Sequence, residues 1–320
     1  HPRLERYITG PGGIFCRKGD REMAWAEDVR GNTGCLFLRG NSIPFYRLGK
    51  KEWILIDSGS AYDREELFFY LREYGIIIKA VLCSHAHFDH VENCRALRDI
   101  FGSEIIMSDF DAGAVRDGVS LKSCFYSHTS EENRRFNGEM IVRADRIFCP
   151  DEEVVSACGV KFQIIPLPGH AASHVGFVTP DGAAYLADSL FGPRELSASK
   201  LVYMLSWRES IETMRRLSDS SYDCTILAHS GVYADIKNLA QENADRLEGM
   251  LKELYSLFES PLTLEELVKK VVSHYGYHVK KIEKARLFER ITRAMAEALL
   301  EEGKLGMELK DGIVVYVPER

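Results

Sequence analysis

The sequence lacks the features of membrane, secreted and nucleic-acid-binding proteins. In its 320 residues, no apolar run reaches the length that a membrane-spanning helix needs. No basic stretch followed by an apolar segment stands near the N-terminus, which predicts a cytoplasmic protein. The chain starts at His1 rather than Met, so its first residues are left out of the argument. The formal net charge of −7 argues against a protein that mainly holds a phosphate backbone.

Paired cysteine motifs are missing as well. The eight cysteines include no CxxC pair, so the sequence predicts neither a disulfide framework nor a thiolate zinc site. We expect most of them to be reduced and partly buried. Cys83 and Cys94 flank a histidine-rich segment and could ligate a metal there. The histidines already supply the ligands, which makes this alternative the weaker one.

The residues that are present describe a layered globular protein. Hydrophobic residues make up 45% of the chain and charged residues 28%, and its length fits one large domain with a modest appendage. Apolar segments between turn residues predict strands at residues 35–38, 45–48 and 53–56. Leucine and phenylalanine at helical spacing predict a helix over residues 63–73. This alternation of strands and helices predicts an α/β fold.

One short segment has the composition of a metal-binding site. The apolar run at residues 79–83 is followed at once by His85, His87, Asp89 and His90. A buried strand that ends in three imidazoles and a carboxylate presents metal ligands. A His-rich surface loop is the alternative, but this composition is unusual for a loop with nothing to bind. We therefore predict a metal site in which one loop serves two adjacent ions.

This segment has the HxHxDH pattern and resembles the metallo-β-lactamase superfamily. The other motifs of that family stand in its order: Asp57 closes the strand before the segment, and His170, Asp188 and His229 follow it. The resemblance covers roughly residues 30–235. It implies a four-layer αββα metallo-β-lactamase sandwich.

The resemblance also implies the metal ligands. One ion would be held by His85, His87 and His170, and the other by Asp89, His90 and His229, with Asp188 as the bridge. Zinc is the expected divalent metal, and iron or manganese would fit the same ligands. Two such ions can share a water and lower its pKa, so that a bridging hydroxide attacks the substrate. Asp89 would then orient the attack and move a proton.

Two further residues are predicted to support the ligands. Asp57 is expected to fix the tautomer of a ligand histidine, although an Asp that only ends a strand is the alternative. His174 is either an outer partner of the ligands or a core histidine bonded to the backbone, and the sequence does not decide between them.

A polar insertion at residues 109–146 is predicted to cover the metal site as a lid. The chain between His90 and His170 is longer than one strand–helix–strand crossing requires, and a solvated elaboration is the alternative. Within the insertion, Tyr126, Arg134 and Arg135 are expected to bind the substrate. Such side chains would cover an apolar acyl group and meet a carboxylate or phosphate beyond it.

The chain is predicted to divide into a catalytic domain, residues 1–259, and a small tail domain, residues 260–320. Thr263 with Glu266 predicts a capped helix start, and Asp311 with Gly312 predicts a hairpin turn. The tail resembles the winged-helix domain behind some metallo-β-lactamase hydrolases. Its basic and acidic residues are nearly balanced, so we predict a structural or homodimer-forming role and no nucleic-acid binding.

The leading functional hypothesis is a dinuclear metal-dependent hydrolase of an acyl bond. The segments around His170 and Asp188 resemble the glyoxalase II-like branch, whose substrates are small-molecule thioesters or esters. That branch more often has Gly where Ala187 stands, which weakens a claim to glutathione thioesters. Lys280, Lys281 and Lys284 are interpreted as a solvated face rather than a glutathione site. We expect a small anionic substrate and no membrane partner.

Three alternatives stay open on the sequence. A lactonase or β-lactamase would use the same centre with a different pocket. A metal-dependent ribonuclease is weakened by the acidic balance of the chain. A non-enzymatic metal-dependent binding module would not need both complete ligand sets and an activating carboxylate.

Overall fold

The computed structural model describes residues 24–125 and 128–319, which form two large sheets and a hairpin. The first sheet has seven strands in sequence order: β1 (Trp25–Arg30), β2 (Thr33–Phe37), β3 (Ser42–Arg47), β4 (Glu52–Ile56), β5 (Ile77–Leu82), β6 (Glu104–Ser108) and β7 (Arg146–Phe148). The second sheet has six: β8 (Val154–Ala157), β9 (Val160–Pro166), β10 (Val175–Val178), β11 (Ala183–Tyr185), β12 (Cys224–Leu227) and β13 (Gly231–Tyr233). The hairpin pairs β14 (Leu305–Lys310) with β15 (Ile313–Pro318).

The α-helices lie outside the sheets. They are α1 (Arg64–Glu73), α2 (Phe88–Val91), α3 (Cys94–Phe101), α4 (Asp109–Ala114), α5 (Ser130–Phe136), α6 (Pro193–Ala198), α7 (Trp207–Ser218), α8 (Lys237–Ser256), α9 (Leu264–His274) and α10 (Ile282–Glu301). Short 3₁₀ helices stand at Ala61–Asp63, Ser120–Ser123 and Gly138–Met140. Within the described ranges, no helix combines the length and the apolar character needed to cross a membrane.

Three hydrophobic clusters separate four layers. The central cluster lies between the sheets and joins Ile54 and Leu82 of the first sheet to Phe177 of the second. A second cluster packs α1 and α3 on the first sheet through side chains such as Leu67 and Leu97. A third packs α7 and α8 on the second sheet. The predicted αββα sandwich is confirmed.

Parallel pairing brings the motifs of the sequence to one edge. Strand β4 runs parallel to β5, and β11 runs parallel to β12, so their carboxyl ends meet. Two backbone hydrogen bonds join the sheets at this edge. The Ser42 amide donates to the Ala228 carbonyl at 2.6 Å, and the Val175 amide donates to the Ser84 carbonyl at 3.0 Å. The segments that follow these strands are therefore held against one another.

The segment at residues 109–146 is partly a packed element. Val115, Leu121 and Met140 are fully buried in the cluster that covers the first sheet. Helix α5 starts with a capping box at Thr129. The segment is thus anchored to the core, and its role as a lid stays a prediction.

The tail shares its core with the preceding helices. The capping box at Thr263 and the hairpin turn at Asp311 and Gly312 are where the sequence predicts them, and both turn residues have a positive φ. Leu267 of α9 and Leu299 of α10 belong to the same hydrophobic cluster as α7 and α8. The domain division at residue 260 and the winged-helix description stay predictions.

Candidate metal centre

Three histidines from two segments form a first group of possible ligands. The ligand atoms of His85, His87 and His170 all lie within 4.8 Å of one another. His87 Nδ1 is 2.9 Å from His170 Nε2. His85 has Nδ1 3.0 Å from Ser84 Oγ, while its buried Nε2 has no hydrogen-bond partner among the described residues. Since buried polar atoms are nearly always paired, this nitrogen fits a metal ligand.

A second group combines two histidines with two carboxylates. Its members are Asp89, His90, Asp188 and His229. His229 Nε2 is 3.2 Å from Asp89 Oδ2 and 3.3 Å from Asp188 Oδ1. Imidazole nitrogen and carboxylate oxygen are the donors that zinc and similar divalent ions accept. The donor set therefore fits a metal ion at this second position too.

Asp188 lies between the two groups. Its Oδ2 is 3.4 Å from His170 Nε2 of the first group and 3.4 Å from His90 Nε2 of the second. The preceding residue, Ala187, has a φ of 46°, in the left-handed region that favours glycine. An alanine in this conformation costs about 1–2 kcal/mol. Despite this strained backbone at Ala187, the Asp188 carboxylate lies between the two groups.

Asp57 is hydrogen-bonded to the histidine-rich loop at Ser84 and His90. Its Oδ1 accepts a hydrogen bond from the Ser84 amide, and its Oδ2 accepts from Ser84 Oγ and from Tyr185 OH, each at 2.7 Å. His90 Nδ1 lies 2.7 Å from the same Oδ2. A carboxylate at this position places the ring proton on Nδ1 and leaves Nε2 for the second group. The sequence did not indicate Tyr185, whose hydroxyl completes this network.

Backbone carbonyls fix one ring nitrogen each of His229 and His174. His229 Nδ1 lies 2.9 Å from the Gly40 carbonyl oxygen. His174 Nδ1 lies 2.9 Å from the Leu167 carbonyl oxygen, and its Nε2 accepts from the Asp188 amide at 3.3 Å. His174 thus combines the two alternatives that the sequence left open. It is a buried histidine bonded to the backbone, and it contacts the main chain of a candidate ligand.

Burial keeps the first group neutral. It lowers the pKa of His85 and of His170 well below the ordinary histidine value, and neighbouring histidines add to the effect. Burial likewise lowers the pKa of His87 to about 4. Neutral imidazole is the form that binds a metal, so these three side chains are ready to ligate at neutral pH.

The second group has the opposite electrostatics. Burial by itself lowers the pKa of His90 and His229, but Asp188 and other nearby carboxylates outweigh it and raise both pKa values well above the ordinary one. Burial raises the pKa of Asp188, yet His229 and His90 outweigh it and hold that pKa well below its usual range. Without a metal, protons on the two histidines therefore balance the carboxylates.

Metal binding is expected to release these protons. A cation must displace them from His90 and His229, so apparent metal affinity should fall as the pH drops below their raised pKa values. Calorimetric titration of metal-free protein with zinc at pH 7, in buffers of different ionisation enthalpy, measures the release. We expect the heat of zinc binding to differ clearly between buffers. In His229→Ala, the number of protons released on zinc binding should be lower by about one. Heat that is the same in every buffer would contradict this electrostatic description.

One supporting residue comes from the start of the 109–146 segment. Asp111 of α4 is buried, and its Oδ1 accepts from the Ala86 amide at 3.2 Å, between two ligand histidines. Its Oδ2 accepts from Ser108 Oγ at 2.7 Å. Burial raises the pKa of Asp111 to about 7. Ser108 three residues earlier is a helix-capping signal that could have identified this pair.

Tyr203 and Arg290 connect the tail to the metal centre. The Tyr203 ring centroid is 5.8 Å from that of His87 and 5.9 Å from that of His170. Arg290 of α10 donates to Tyr203 OH at 2.7 Å, with its Cζ 5.1 Å from the Tyr203 ring centroid. Neither residue was predicted from the sequence. The four-residue spacing of Arg286 and Arg290 was the available signal for a basic helix face.

The contacts described for the predicted substrate residues Arg134 and Arg135 lie within the 109–146 segment. Arg134 and Arg135 are exposed, with Arg134 against Gly118 and Arg135 Cζ 5.3 Å from the Phe136 ring centroid. Tyr126 lies outside the described residues. The substrate role of all three therefore stays a prediction.

The two cysteines beside the metal loop are not grouped with the candidate ligands. Cys83 and Cys94 are buried, and their Sγ atoms are 3.7 Å apart. Among the residues with described positions, neither belongs to a group that could hold a metal. They contact each other in the core instead.

The chain is similar to known proteins. Residues 38–229 match the family model described as "Metallo-beta-lactamase superfamily". Hydroxyacylglutathione hydrolase GloC of Haemophilus influenzae is 28% identical over 202 residues, which cover 61% of this chain and 87% of that protein. The lactamase-like protein aptB of Emericella nidulans is 22% identical, covering 87% of this chain and 81% of that protein.

A solved structure has the same fold. The crystal structure of a metallo-beta-lactamase family protein from Thermus thermophilus superposes with a TM-score of 0.68 at 20% identity. It covers 87% of this chain and 94% of that protein. The family model matches more than half of the chain, and a His/Asp cluster able to bind metal stands where the family motifs converge. The chain belongs to the metallo-beta-lactamase superfamily and is a metal-dependent hydrolase.

Proposed function

We propose that the protein hydrolyses an acyl bond, in a thioester or ester of a small anionic substrate, with two divalent metal ions. One observation carries the proposal: Asp188 Oδ2 lies 3.4 Å from a histidine nitrogen of each ligand group. A carboxylate shared between two nearby sets of donors is suited to a two-metal site.

The ligand roles follow from the two groups. His85, His87 and His170 would hold one ion, and Asp89, His90 and His229 the other, with Asp188 shared. Zinc is proposed, with iron or manganese as alternatives for these donors. When bound, the two ions supply an activated water and polarise the scissile carbonyl. Asp57 would keep His90 oriented towards the second ion.

Asp89 is proposed as the proton acceptor. Burial raises its pKa, but His90 and His229 outweigh burial and lower the pKa below that of an ordinary Asp. The carboxylate is therefore ionised at neutral pH and can take a proton from the attacking water. Asp89 is 19% exposed and His229 is 36% exposed, so both lie on the open side of the centre. A substrate would enter from this side.

The choice of an acyl substrate is supported by the relatives and by Arg290. GloC, named above, is a hydroxyacylglutathione hydrolase, and other relatives carry that name. The guanidinium of Arg290, beside Tyr203, offers a positive charge near the first ligand group, where it would attract a carboxylate or phosphate. We propose that the tail of the chain contributes in this way to the substrate site. Arg134 and Arg135 remain proposed contacts further out.

A substrate panel tests the proposal. The zinc-loaded protein would be assayed with an acyl thioester, the matching ester, a lactone, a chromogenic β-lactam and single-stranded RNA. We expect the highest kcat/KM on the thioester or ester, and none after metal removal by a chelator. Faster turnover of the β-lactam or of RNA would overturn the acyl assignment and leave the metal site intact.

A further inference from the structure

We propose that Lys200 and the first half of α10 form a phosphate-binding subsite, which Tyr203 connects to the metal centre. The substrate would then be a thioester whose thiol carrier bears phosphate groups, as coenzyme A does. This inference rests on the proposed hydrolysis and narrows its substrate class. The reaction is water plus thioester giving carboxylic acid plus thiol: a C–O bond forms, the C–S bond breaks, and the sulfur leaves with a proton.

The tail has a local positive charge that its overall balance conceals. Between Lys280 and Arg293, basic residues stand at positions 280, 281, 284, 286, 290 and 293, while Glu283 and Glu289 are the acidic ones. The rest of the tail has an acidic excess. A cluster of this sign on an acidic protein attracts an anion locally.

Aromatic contacts hold two of the cations together. The Nζ atoms of Lys284 and Lys200 lie 5.5 Å and 6.0 Å from the Tyr277 ring centroid. The Tyr277 ring packs against that of Phe288, which is buried, at 4.7 Å between centroids. Lys200 Nζ also donates to the Tyr275 carbonyl at 3.1 Å. Two ammonium groups beside one ring concentrate positive charge there.

The start of α10 adds to this charge. The helix has 20 residues, and its N-cap, Lys281, makes no side-chain capping hydrogen bond. Backbone amides at such an end, together with the helix dipole, favour an anion. Lys280 and Lys281 are exposed directly before the helix. The same anion could therefore meet lysine side chains and helix amides.

The subsite is continuous with the metal centre. Tyr203, whose ring is 5.8 Å from His87, follows Lys200 by three residues, and three residues span at most ~10 Å. Adding the 6.0 Å from Lys200 Nζ to the Tyr277 ring centroid gives a path of at most ~22 Å from the His87 ring to Tyr277. A thioester on a long thiol arm that ends in phosphates can reach both ends of this path.

The kinetic test compares two thioesters that differ only in their phosphates. The zinc-loaded protein is expected to prefer an acyl-coenzyme A over the matching acyl-pantetheine by about tenfold or more in kcat/KM, through KM. The triple variant Lys280→Ala, Lys281→Ala, Lys284→Ala should lose this preference. A control with the same charge change, Lys269→Ala, Lys304→Ala, Lys310→Ala, should keep it. Equal kcat/KM for both thioesters in the wild type would overturn the inference, while the proposed hydrolysis of an acyl bond would be unaffected.

A binding test is independent of hydrolysis. Coenzyme A titrated into metal-free protein should bind at least about tenfold more weakly to the Lys280 triple variant than to the wild type or the control. Unchanged binding would overturn the subsite even if thioesters are hydrolysed. If coenzyme A binds as expected but no thioester is hydrolysed, the proposed function fails while the subsite stands. If the triple variant binds coenzyme A as the wild type does but no longer binds single-stranded RNA, the basic residues form a nucleic-acid surface. That result would overturn the inference.

Discussion

Asp188→Ala is expected to abolish hydrolysis, lowering kcat/KM by about a thousandfold or more. The substitution removes the carboxylate that faces both ligand groups, and with it the negative charge that most strongly raises the pKa of His90 and His229. Metal content should fall to one ion per chain or less. Steady-state kinetics on the best substrate and elemental analysis of the same samples measure the two effects.

The control for this variant is Asp151→Ala, which removes an exposed carboxylate. It should keep wild-type activity and metal content. Circular dichroism should be alike for both variants, since Asp188 contributes a ligand rather than an apolar core side chain. An Asp188→Ala protein that keeps two ions and a tenth or more of the wild-type rate would contradict the bridging role.

Asp89→Asn is expected to separate metal binding from turnover. An amide oxygen can still coordinate a cation, but it cannot take a proton from the attacking water. We expect most of the metal to remain while kcat falls by about 10²–10⁴-fold. With metal kept saturating at each pH, wild-type activity should fall as the pH drops through the lowered pKa of Asp89, and this loss should disappear in the variant.

The matched control is Asp99→Asn, the same chemical change on the exposed face of α3. It should leave both the rate and the pH profile unchanged. Near-wild-type turnover by Asp89→Asn on a substrate that the wild type hydrolyses would show that another group takes the proton.

The sequence predicted what depends on local pattern. A strand that ends in His and Asp indicated the histidine-rich loop, the family resemblance implied Asp188 and His229, and the structure brings these side chains together. The strands β4 and β5 were also expected, since buried parallel strands are nearly continuous apolar runs. Strands β1 and β7 were not expected, because their mostly exposed or half-buried residues give no apolar run.

Contacts between distant segments could not be predicted. Arg290 and Tyr203 are 87 residues apart, and Tyr185 and Asp57 are 128 apart. No local spacing links such pairs. Summing the charge over the whole tail also hid the basic cluster around Lys284, which becomes visible only when α10 is placed beside the segment that carries Lys200.

The insertion shows a third limit. Its composition suggested a lid, with Arg134 and Arg135 over the substrate. The structure buries Asp111 and Val115 at its beginning, which the composition did not indicate, while the lid and the substrate role of the two arginines stay predictions. Composition indicates that a segment is polar, but the direction of each side chain depends on how the backbone packs.

Titration of activity against added metal tests the two-ion mechanism most directly. Metal-free protein would be given zinc in steps, and thioester or ester hydrolysis would be measured with the bound metal at each step. We expect two ions bound per chain at saturation, with activity rising until about two equivalents are bound. Full activity at one equivalent, with no second ion bound at higher concentration, would contradict the dinuclear centre.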